Sequence, residues 1–261
     1  MTAARQDAPT DTPLADVRDA RVPGRLDGVD LAVRAGTTLA LIGANGAGKS
    51  SLLHLLAGRL RARRGTVRVA GHAPRSAAAA RARAYVPQRI DLPPHVRAGE
   101  VLAVAAQARG ADDDALRDAA TRMGLADVLS ARVGRLSGGM QQRVALAAGL
   151  VGAPPLWLLD EPASALDAGG LTRLAAWVAD HAAAGGAIVT SAHRPEEVAA
   201  FAHEAVLLRA GRRLHRGPVD GLFEGVDARD GTPLDLPDGV VPRRVPGPLL
   251  ADALEGEDPR A

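Results

Sequence analysis

A glycine-rich segment near the start of the chain most constrains what this sequence can fold into. Its residues, Gly43-Ala44-Asn45-Gly46-Ala47-Gly48-Lys49-Ser50, fit the pattern G-x-x-x-x-G-K-S. An apolar run at 38–42 precedes it and predicts a strand, and leucines at helical spacing over 50–61 follow it. In this strand-to-helix context the pattern predicts a loop whose backbone N–H groups surround phosphate oxygens. Lys49, the only lysine of the chain, would reach the outer phosphates, and Ser50 would hold Mg²⁺.

Two adjacent acids, Asp160 and Glu161, follow a second apolar run at 156–159. A buried strand that ends in carboxylates indicates a site at its carboxyl end, where Asp160 suits a Mg²⁺ partner beside the phosphate loop. Glu161 points in another direction and is a candidate to polarise an attacking water. The alternative is a solvated loop after a core strand, and the phosphate loop in the same chain weighs against it.

A second helix start has the chemistry of an anion site. Ser137, Gly138 and Gly139 precede a run with apolar residues at helical spacing over 144–150. Serine is a good N-cap residue, and the glycines allow close backbone approach. Such a site is useful if it closes on the outer face of a γ-phosphate that another loop already holds. The alternative is an ordinary capped helix.

The order of predicted elements is typical of an α/β fold with a mainly parallel sheet, because apolar strands alternate with helices. A helical stretch over about 89–152 interrupts this order and indicates an inserted helical subdomain. The predicted strands are 29–33, 38–42, 66–70, 84–86, 156–159 and 187–191, with a hairpin of 205–209 and 212–216. The predicted helices outside the subdomain are 50–61, 76–84, 168–184 and 195–202. The folded domain is expected to span 14–223, between a disordered leader (1–13) and a loose tail (224–261).

Composition excludes several classes of protein. The chain has no cysteine, so a disulfide framework, a thiolate zinc site and a cysteine nucleophile are impossible. Hydrophobic residues make up 47% and charged residues 24%, which is ordinary for a globular protein. The formal charge is only +2 without a long like-charge block, so no nucleic-acid partner is expected. No apolar run reaches the roughly 20 residues of a spanning helix, which predicts a cytoplasmic protein.

Six short motifs in a characteristic order carry a family resemblance over roughly residues 14–217. They are GANGAGKSS at 43–51, YVPQ at 85–88, LSGGMQQR at 136–143, LWLLDEP at 156–162, SALD at 164–167 and TSAH at 190–193. The chain resembles the nucleotide-binding subunit of an ABC transporter, and the succession of LSGGMQQR and LLDEP is highly specific. The resemblance implies a P-loop NTPase core with an antiparallel β part near the N-terminus.

The resemblance also implies the cofactors ATP and Mg²⁺ and the residues that bind them. Mg²⁺ would be held by Ser50 and Asp160 and sensed by Gln88. The ATP phosphates would contact Gly43, Ala44, Asn45, Gly46, Ala47, Gly48, Lys49, Ser50 and Ser51.

Further residues receive roles in hydrolysis and in a dimer. The resemblance implies that Glu161 is the catalytic base, that Lys49 assists it, and that His193 contacts the γ-phosphate. It implies that Asp167 crosses the interface between two subunits. The ATP of the other subunit would be contacted by Ser137, Gly138, Gly139 and Gln141.

The family implies a motor, peripheral on the cytoplasmic face of the cell membrane, that drives a separate transmembrane permease. A second copy, or a homologous ATPase, would join it in a head-to-tail dimer. The compact stretch between Gln88 and Ser137 resembles exporter-type ATPases and favours export. The alternatives are an importer ATPase for metals or small solutes, and a non-transport ABC ATPase acting on ribosomes or nucleic acid. A non-hydrolysing regulator is disfavoured because the phosphate-binding and catalytic residues are all present.

One departure from the family concerns the nucleobase. Relatives usually stack adenine on an aromatic residue upstream of the phosphate loop, and this chain has no aromatic residue before Tyr85. Arg21 or Val22 lies near the expected position, and the plane of an arginine can stack in place of a ring.

Overall fold

Two β-sheets and seven α-helices build the fold of the described residues. The computed structural model describes residues 12–219 apart from 193 and 194. The strands are β1 (Ala15–Val22), β2 (Leu26–Val33), β3 (Thr38–Ile42), β4 (Arg64–Val69), β5 (Arg83–Val86), β6 (Leu156–Asp160), β7 (Ala187–Ser191), β8 (Glu204–Arg209) and β9 (Arg212–Pro218). The helices are α1 (Lys49–Leu56), α2 (Ala77–Arg81), α3 (Ala98–Arg109), α4 (Asp113–Arg122), α5 (Gly138–Leu150), α6 (Ala168–Ala183) and α7 (Pro195–Phe201).

The smaller sheet is antiparallel and has the strand order β2-β1-β4. Buried alternate residues of β1, such as Ala15 and Val17, turn one face toward the core. The pairing of β1 with β2 shifts register between Val17 and Ala20, where Arg18 and Asp19 are both exposed. This irregularity interrupts the alternation of apolar and polar residues on which strand prediction depends.

The larger sheet has the order β5-β6-β7-β3-β8-β9 and is parallel except for the last pair, β8 and β9. Strands β3 and β6 therefore flank β7 in the centre of the sheet. Since the carboxyl ends of parallel strands meet at one edge, the loops after β3 and β6 leave the sheet close together. Ligands in α/β folds bind in the crevice that such loops form.

Helices cover both faces of the larger sheet, which explains why all residues of β3, β6 and β7 are buried. Leu156 and Leu158 belong to the core cluster that includes the leucines of α1. Trp157 and Leu159, on the opposite face, belong to the cluster formed with α3 to α6. The alternation along β6 thus joins the two cores through a single strand.

Helices α3, α4 and α5 form the inserted helical part, with two short 3-10 turns between α4 and α5. Gly110 ends α3 in the left-handed conformation (φ 67°), and Asp112 caps α4 by accepting a hydrogen bond from the Ala115 N–H at 2.9 Å. No helix among the described residues is both long and apolar enough to cross a membrane.

The α/β architecture with its helical insertion agrees with the prediction, but several elements differ from it. Strand β1 was not predicted as a strand. Helix α1 ends at Leu56 rather than at Arg61, because the N–H groups of Arg59 and Leu60 both donate to the His54 carbonyl, at 2.9 and 3.1 Å. Helix α2 is likewise shorter than predicted, since β5 already begins at Arg83.

Several predictions fall outside the described residues. They concern His193, the first eleven residues of the predicted leader, and the predicted tail over 224–261. The proposed domain limits at 14 and 223 stay predictions.

A buried histidine makes the stability of the fold depend on pH. The His181 ring, 8% exposed, stacks on Trp157 at a centroid distance of 3.9 Å, and its Nε2 atom has no hydrogen-bond partner. Burial lowers the pKa of His181 below its ordinary value of 6.5, although a hydrogen bond to the Pro155 backbone raises it in part. The unfolded chain therefore binds a proton at this histidine more readily than the folded chain does. The stability that the neutral, buried ring provides is lost as the pH falls below about 6.5.

We expect the free energy of unfolding to decrease between pH 7 and pH 5.5, and the decrease to be smaller in His181→Phe. Phenylalanine keeps a ring against Trp157 but does not titrate. Urea unfolding followed by tryptophan fluorescence measures both values, with His72→Gln as an exposed-histidine control. If the free energy of unfolding depended on pH equally in the wild type and in His181→Phe, His181 would not be the group responsible.

Candidate nucleotide site

The phosphate loop lies between β3 and α1, where the surrounding backbone also demands glycine. Gly43 has φ 147°, and a Cβ atom there would lie 2.2 Å from the Leu208 carbonyl oxygen. Gly48 has φ 109°, and a Cβ atom there would lie 2.8 Å from the Leu26 side chain. The glycines therefore let β8 and β2 approach the loop closely, in addition to exposing its N–H groups.

Lys49 is buried inside the loop with 5% exposure. Its Nζ donates to the carbonyl oxygens of Gly43 at 2.5 Å and Ala44 at 3.1 Å. Burial lowers the pKa of Lys49, and the nearby carboxylates of Glu161 and Asp160 counteract this shift. The fold thus holds a cation at the loop, where it can donate to phosphate oxygens.

Asp160 connects three elements at the crevice. Its Oδ1 accepts hydrogen bonds from the Ser50 hydroxyl at 3.1 Å and from the Ser191 hydroxyl at 2.7 Å. Asp160 is 5% exposed, so these two donors matter for the stability of a buried carboxylate. The contacts fix the end of β6 against α1 and β7, with the acid directly beside the phosphate loop.

Glu161 turns away from Asp160 because its backbone is left-handed, with φ 47°. Its N–H donates to the Ser191 hydroxyl at 2.9 Å, and its Oε2 accepts from Gln88 Nε2 at 2.5 Å. A non-glycine residue in this conformation is strained, and such strain often occurs at functional sites. The adjacent acids therefore have separate side-chain partners, and the separate roles predicted for them stay predictions.

A cavity of about 420 Å³ lies at the phosphate loop. The loop contributes Lys49 and Ser50 to its lining, and Glu161 lines it as well. The remaining lining residues are Gly24, Arg25, Asn45, Gly46, Ala47, Gly48 and Ser51. Seven of the nine predicted phosphate-binding residues thus line one cavity with the predicted base, whereas Gly43 and Ala44 are not among its lining residues.

The residues at the loop suit Mg²⁺ as the metal. Within residues 12–192 and 195–219, no group of three His, Cys, Asp or Glu side chains could hold an ion by itself. Mg²⁺ does not need such a group, because it keeps several waters and binds through one or two protein oxygens plus substrate phosphates. The Ser50 hydroxyl and the Asp160 carboxylate lie together and would provide those oxygens. Gln88, the third predicted ligand, is hydrogen-bonded to Glu161 and stays a prediction.

The second predicted anion site lies at the start of α5, beside a cavity of its own. Ser137 caps the helix by accepting from the Met140 N–H at 3.2 Å, and Gln141 Nε2 donates to the Leu136 carbonyl at 3.0 Å. Gly138 and Gln141 line a cavity of about 400 Å³ together with Gln88. The loop cavity and this one do not share a lining residue. The Gln88–Glu161 hydrogen bond joins them.

Asp167 lies at the start of α6, where its carboxylate accepts from the Gly170 N–H at 2.8 Å. The same carboxylate forms an ion pair with Arg143 of α5. The hydrogen bond from Arg143 is the main cause that lowers the pKa of Asp167. The side chain is nevertheless 67% exposed, and its predicted place at a subunit interface stays a prediction.

Sequence reasoning missed two contributors to the site. Ser191 forms hydrogen bonds with both the Asp160 carboxylate and the Glu161 backbone N–H. The sequence pattern that could have indicated it is its position at the end of an apolar strand, which runs parallel to the strand that ends at Asp160. Arg25 lines the loop cavity from the turn between β1 and β2. It lies close in sequence to Arg21 and Val22, the positions suggested for contact with the base.

Comparison with known proteins agrees with this geometry. The family model described as ABC transporter matches residues 26–164. The chain is 40% identical to the cytochrome c biogenesis ATP-binding export protein CcmA of Rhodopseudomonas palustris, over 65% of this chain and 84% of that protein. It is 39% identical to the hemin import ATP-binding protein HmuV of Streptomyces coelicolor, over 76% of this chain and 74% of that protein.

Among solved structures, an ATP-binding subunit of an ABC transporter superposes with a TM-score of 0.74 at 28% identity. The match covers 81% of this chain and 92% of that one. The family match extends from β2 through the phosphate loop and α5 to the acids after β6. This chain therefore belongs to the ABC transporter family and has the fold of its ATP-binding subunits.

Proposed function

We propose that this chain hydrolyses ATP and uses the energy to drive a separate membrane permease. One observation carries the proposal: Lys49, Ser50 and Glu161 line one cavity, and the Ser50 hydroxyl donates a hydrogen bond to Asp160 beside it. This set provides a cation for the phosphates, oxygens for Mg²⁺ and a carboxylate for a water molecule.

Each residue has a defined part in hydrolysis. The N–H groups of the loop and the Lys49 ammonium hold the phosphates, and Glu161 orients a water and accepts its proton. Ser50 and Asp160 would hold Mg²⁺, which when bound would supply positive charge beside the phosphate oxygens. The Gln88 amide donates to the Glu161 carboxylate, so movement of Gln88 changes how the base is oriented.

We propose further that two copies, or this chain and a homologue, associate head to tail. In such a dimer the Ser137-Gly138-Gly139 helix start of each subunit faces the phosphate loop of its partner, and twofold symmetry repeats every contact. The separate cavities of the two anion sites support this arrangement, because each site then needs the other subunit. Asp167, exposed and fixed by Arg143, would lie at the interface.

Export is our proposed direction of transport, based on the compact helical segment between Gln88 and Ser137. The two relatives named above are an export protein and an import protein at nearly equal identity, so their names do not favour either direction.

Affinity capture tests the coupling. A Glu161→Gln bait with ATP is incubated with detergent-solubilised membranes, and Lys49→Ala serves as the control bait. Recovery of a multi-spanning protein by the first bait alone would support the transport motor. Recovery of ribosomal or nucleic-acid material without a membrane protein would overturn it in favour of the non-transport alternative.

The direction of transport is tested in vesicles that carry the recovered permease with its cytoplasmic face outward. ATP-dependent accumulation of the cargo inside these vesicles would indicate export, and ATP-dependent loss of the cargo would indicate import.

A further inference from the structure

The small formal charge of the chain conceals an uneven distribution of charge along it. Residues 31–90 contain ten arginines and Lys49 but no aspartate or glutamate. Residues 220–238, here called the acidic segment, contain six aspartates and glutamates and a single arginine. Exposed charges attract each other within about a Debye length, which is ~10 Å at 0.1 M salt. The place of the arginines relative to the start of the acidic segment therefore decides whether the two can meet.

Four of these arginines lie close together in the fold, outside the cavities at the phosphate loop and at the start of α5. They are here called the basic surface, and they are Arg59, Arg61, Arg68 and Arg75, all of them exposed. After β4 the chain turns back through a pairing of Val69 with His72. The Arg75 Nε atom then donates to the Gly58 carbonyl at 3.0 Å, beside the first arginine of the set.

The basic surface has no carboxylate of its own. Within residues 12–192 and 195–219, none of its guanidinium groups forms an ion pair with an aspartate or glutamate. Asp16 lies opposite Arg68 in the strand pairing, but it pairs with Arg18 at 3.0 Å. The Arg59 guanidinium lies 4.7 Å from the centre of the Tyr85 ring, a contact that orients the group and leaves its positive charge in place.

The acidic segment begins near this surface. The described chain ends at Val219, and three residues earlier the Arg216 guanidinium donates to the Ala32 carbonyl at 2.7 Å. Ala32 on β2 and Arg68 on β4 lie opposite the same residue of β1. Because neighbouring strands are about 4.8 Å apart, Ala32 and Arg68 are separated by about 10 Å. The acidic segment has 19 residues. A chain of that length can span up to about 60 Å, so it can reach all four arginines.

We propose that the acidic segment binds the basic surface of the same chain and serves as its counter-charge. One exposed ion pair contributes little, but several pairs between tethered partners act together, because the tether keeps their effective concentration high. Bound in this way, the segment keeps anionic lipids and nucleic acids away from the basic surface. The inference does not require ATP hydrolysis, so it can fail while the proposed function stands.

The absence of cysteine allows a test by disulfide cross-linking in the full chain. Thr66→Cys/Thr232→Cys places one thiol on β4, two residues before Arg68, and the other in the acidic segment. We expect an intramolecular disulfide that forms at least about fivefold faster at 0.1 M salt than at 1 M salt, where the Debye length is only ~3 Å.

A second cysteine pair controls for the effect of salt on thiol reactivity. Thr172→Cys/Thr232→Cys places the partner thiol on exposed α6, whose core contacts lie on the face of the larger sheet opposite α1. We expect this pair to form its disulfide at least about fivefold more slowly at 0.1 M salt, because the effective concentration of the two thiols is lower.

Charge reversal then tests the pairing itself. In the Thr66/Thr232 cysteine background, Arg61→Glu/Arg68→Glu should slow the cross-link at least about fivefold, because like charges then face each other. Adding Asp227→Arg/Asp230→Arg to that variant should restore most of the rate. Such a restoration requires contact between the two sets of charges, and circular dichroism verifies that each variant folds.

A matched control reverses two exposed arginines of the helical part, Arg117→Glu/Arg132→Glu, and should leave the rate unchanged. A loss as large as that in Arg61→Glu/Arg68→Glu would overturn the proposal, because total charge would then explain both. Equal rates for the two cysteine pairs would overturn it by showing that the segment has no preferred surface. Cross-linked dimers in place of the intramolecular product would overturn it by assigning the surface to a second copy.

Discussion

Replacing Glu161 with glutamine is expected to lower ATP hydrolysis by about 10²–10⁴ while ATP still binds. The amide has nearly the same shape as the carboxylate and can still contact Gln88, which donates to Glu161 at 2.5 Å. It cannot accept a proton from water. The substitution therefore removes the base and leaves the phosphate loop and the Asp160 contacts in place.

Phosphate release measures the hydrolysis, and calorimetric titration measures the binding of ATP. Glu204→Gln is a matched control, because it makes the same chemical change on β8, where Glu204 pairs with Arg216 outside the loop cavity. Turnover at the wild-type rate in Glu161→Gln would remove Glu161 from the mechanism. Loss of ATP binding in this variant would instead assign Glu161 a role in forming the site.

Replacing Lys49 with alanine is expected to weaken ATP binding by about 10- to 100-fold and to abolish measurable turnover. A hydrogen bond to a charged group contributes about 1.5–3 kcal/mol, and each 1.4 kcal/mol corresponds to a factor of ten. Lys49 is the one cation that the fold places inside the loop, with contacts to two loop carbonyls in the described structure. Exposed arginines at the cavity rim cannot enter that position.

Titration with ATP and Mg²⁺ measures this effect, and Arg68→Ala controls for the loss of one positive charge elsewhere on the surface. Because Lys49 is buried, the thermal midpoint of Lys49→Ala is needed as well. A variant that unfolds at the wild-type temperature and binds ATP as tightly as the wild type would contradict the assignment of Lys49 as the phosphate-binding cation.

The centre of the larger sheet was predictable from sequence because β3, β6 and β7 are short, mainly apolar runs. All five residues of β3, β6 and β7 are buried, so every position carries the signal. The apolar pattern of strand β1 is much weaker, since Arg18 and Asp19 are both exposed where the strand pairing shifts register. The early end of α1 depends on backbone contacts at His54 that apolar spacing does not encode.

The site was predictable as a set of motifs but not as a set of contacts. The phosphate loop and the acids at 160 and 161 each follow an apolar strand, and parallel strands bring such ends together. The contact between Gln88 and Glu161 joins residues 73 positions apart, and no local pattern specifies it. Ser191 was overlooked because a single serine at a strand end is common, and only its hydrogen bonds to Asp160 and Glu161 mark it as part of the site.

The single lysine of the chain has a consequence for chemical labelling. Apart from the amino terminus of the polypeptide, the ε-amine of Lys49 is the only primary amine in the molecule, and it is nearly enclosed by the loop. Acylating reagents, which modify scattered surface lysines in most proteins, have one internal target here. Modification of that nitrogen would remove the charge that the phosphates require, so a covalent probe of amines and a probe of nucleotide occupancy would report on the same atom.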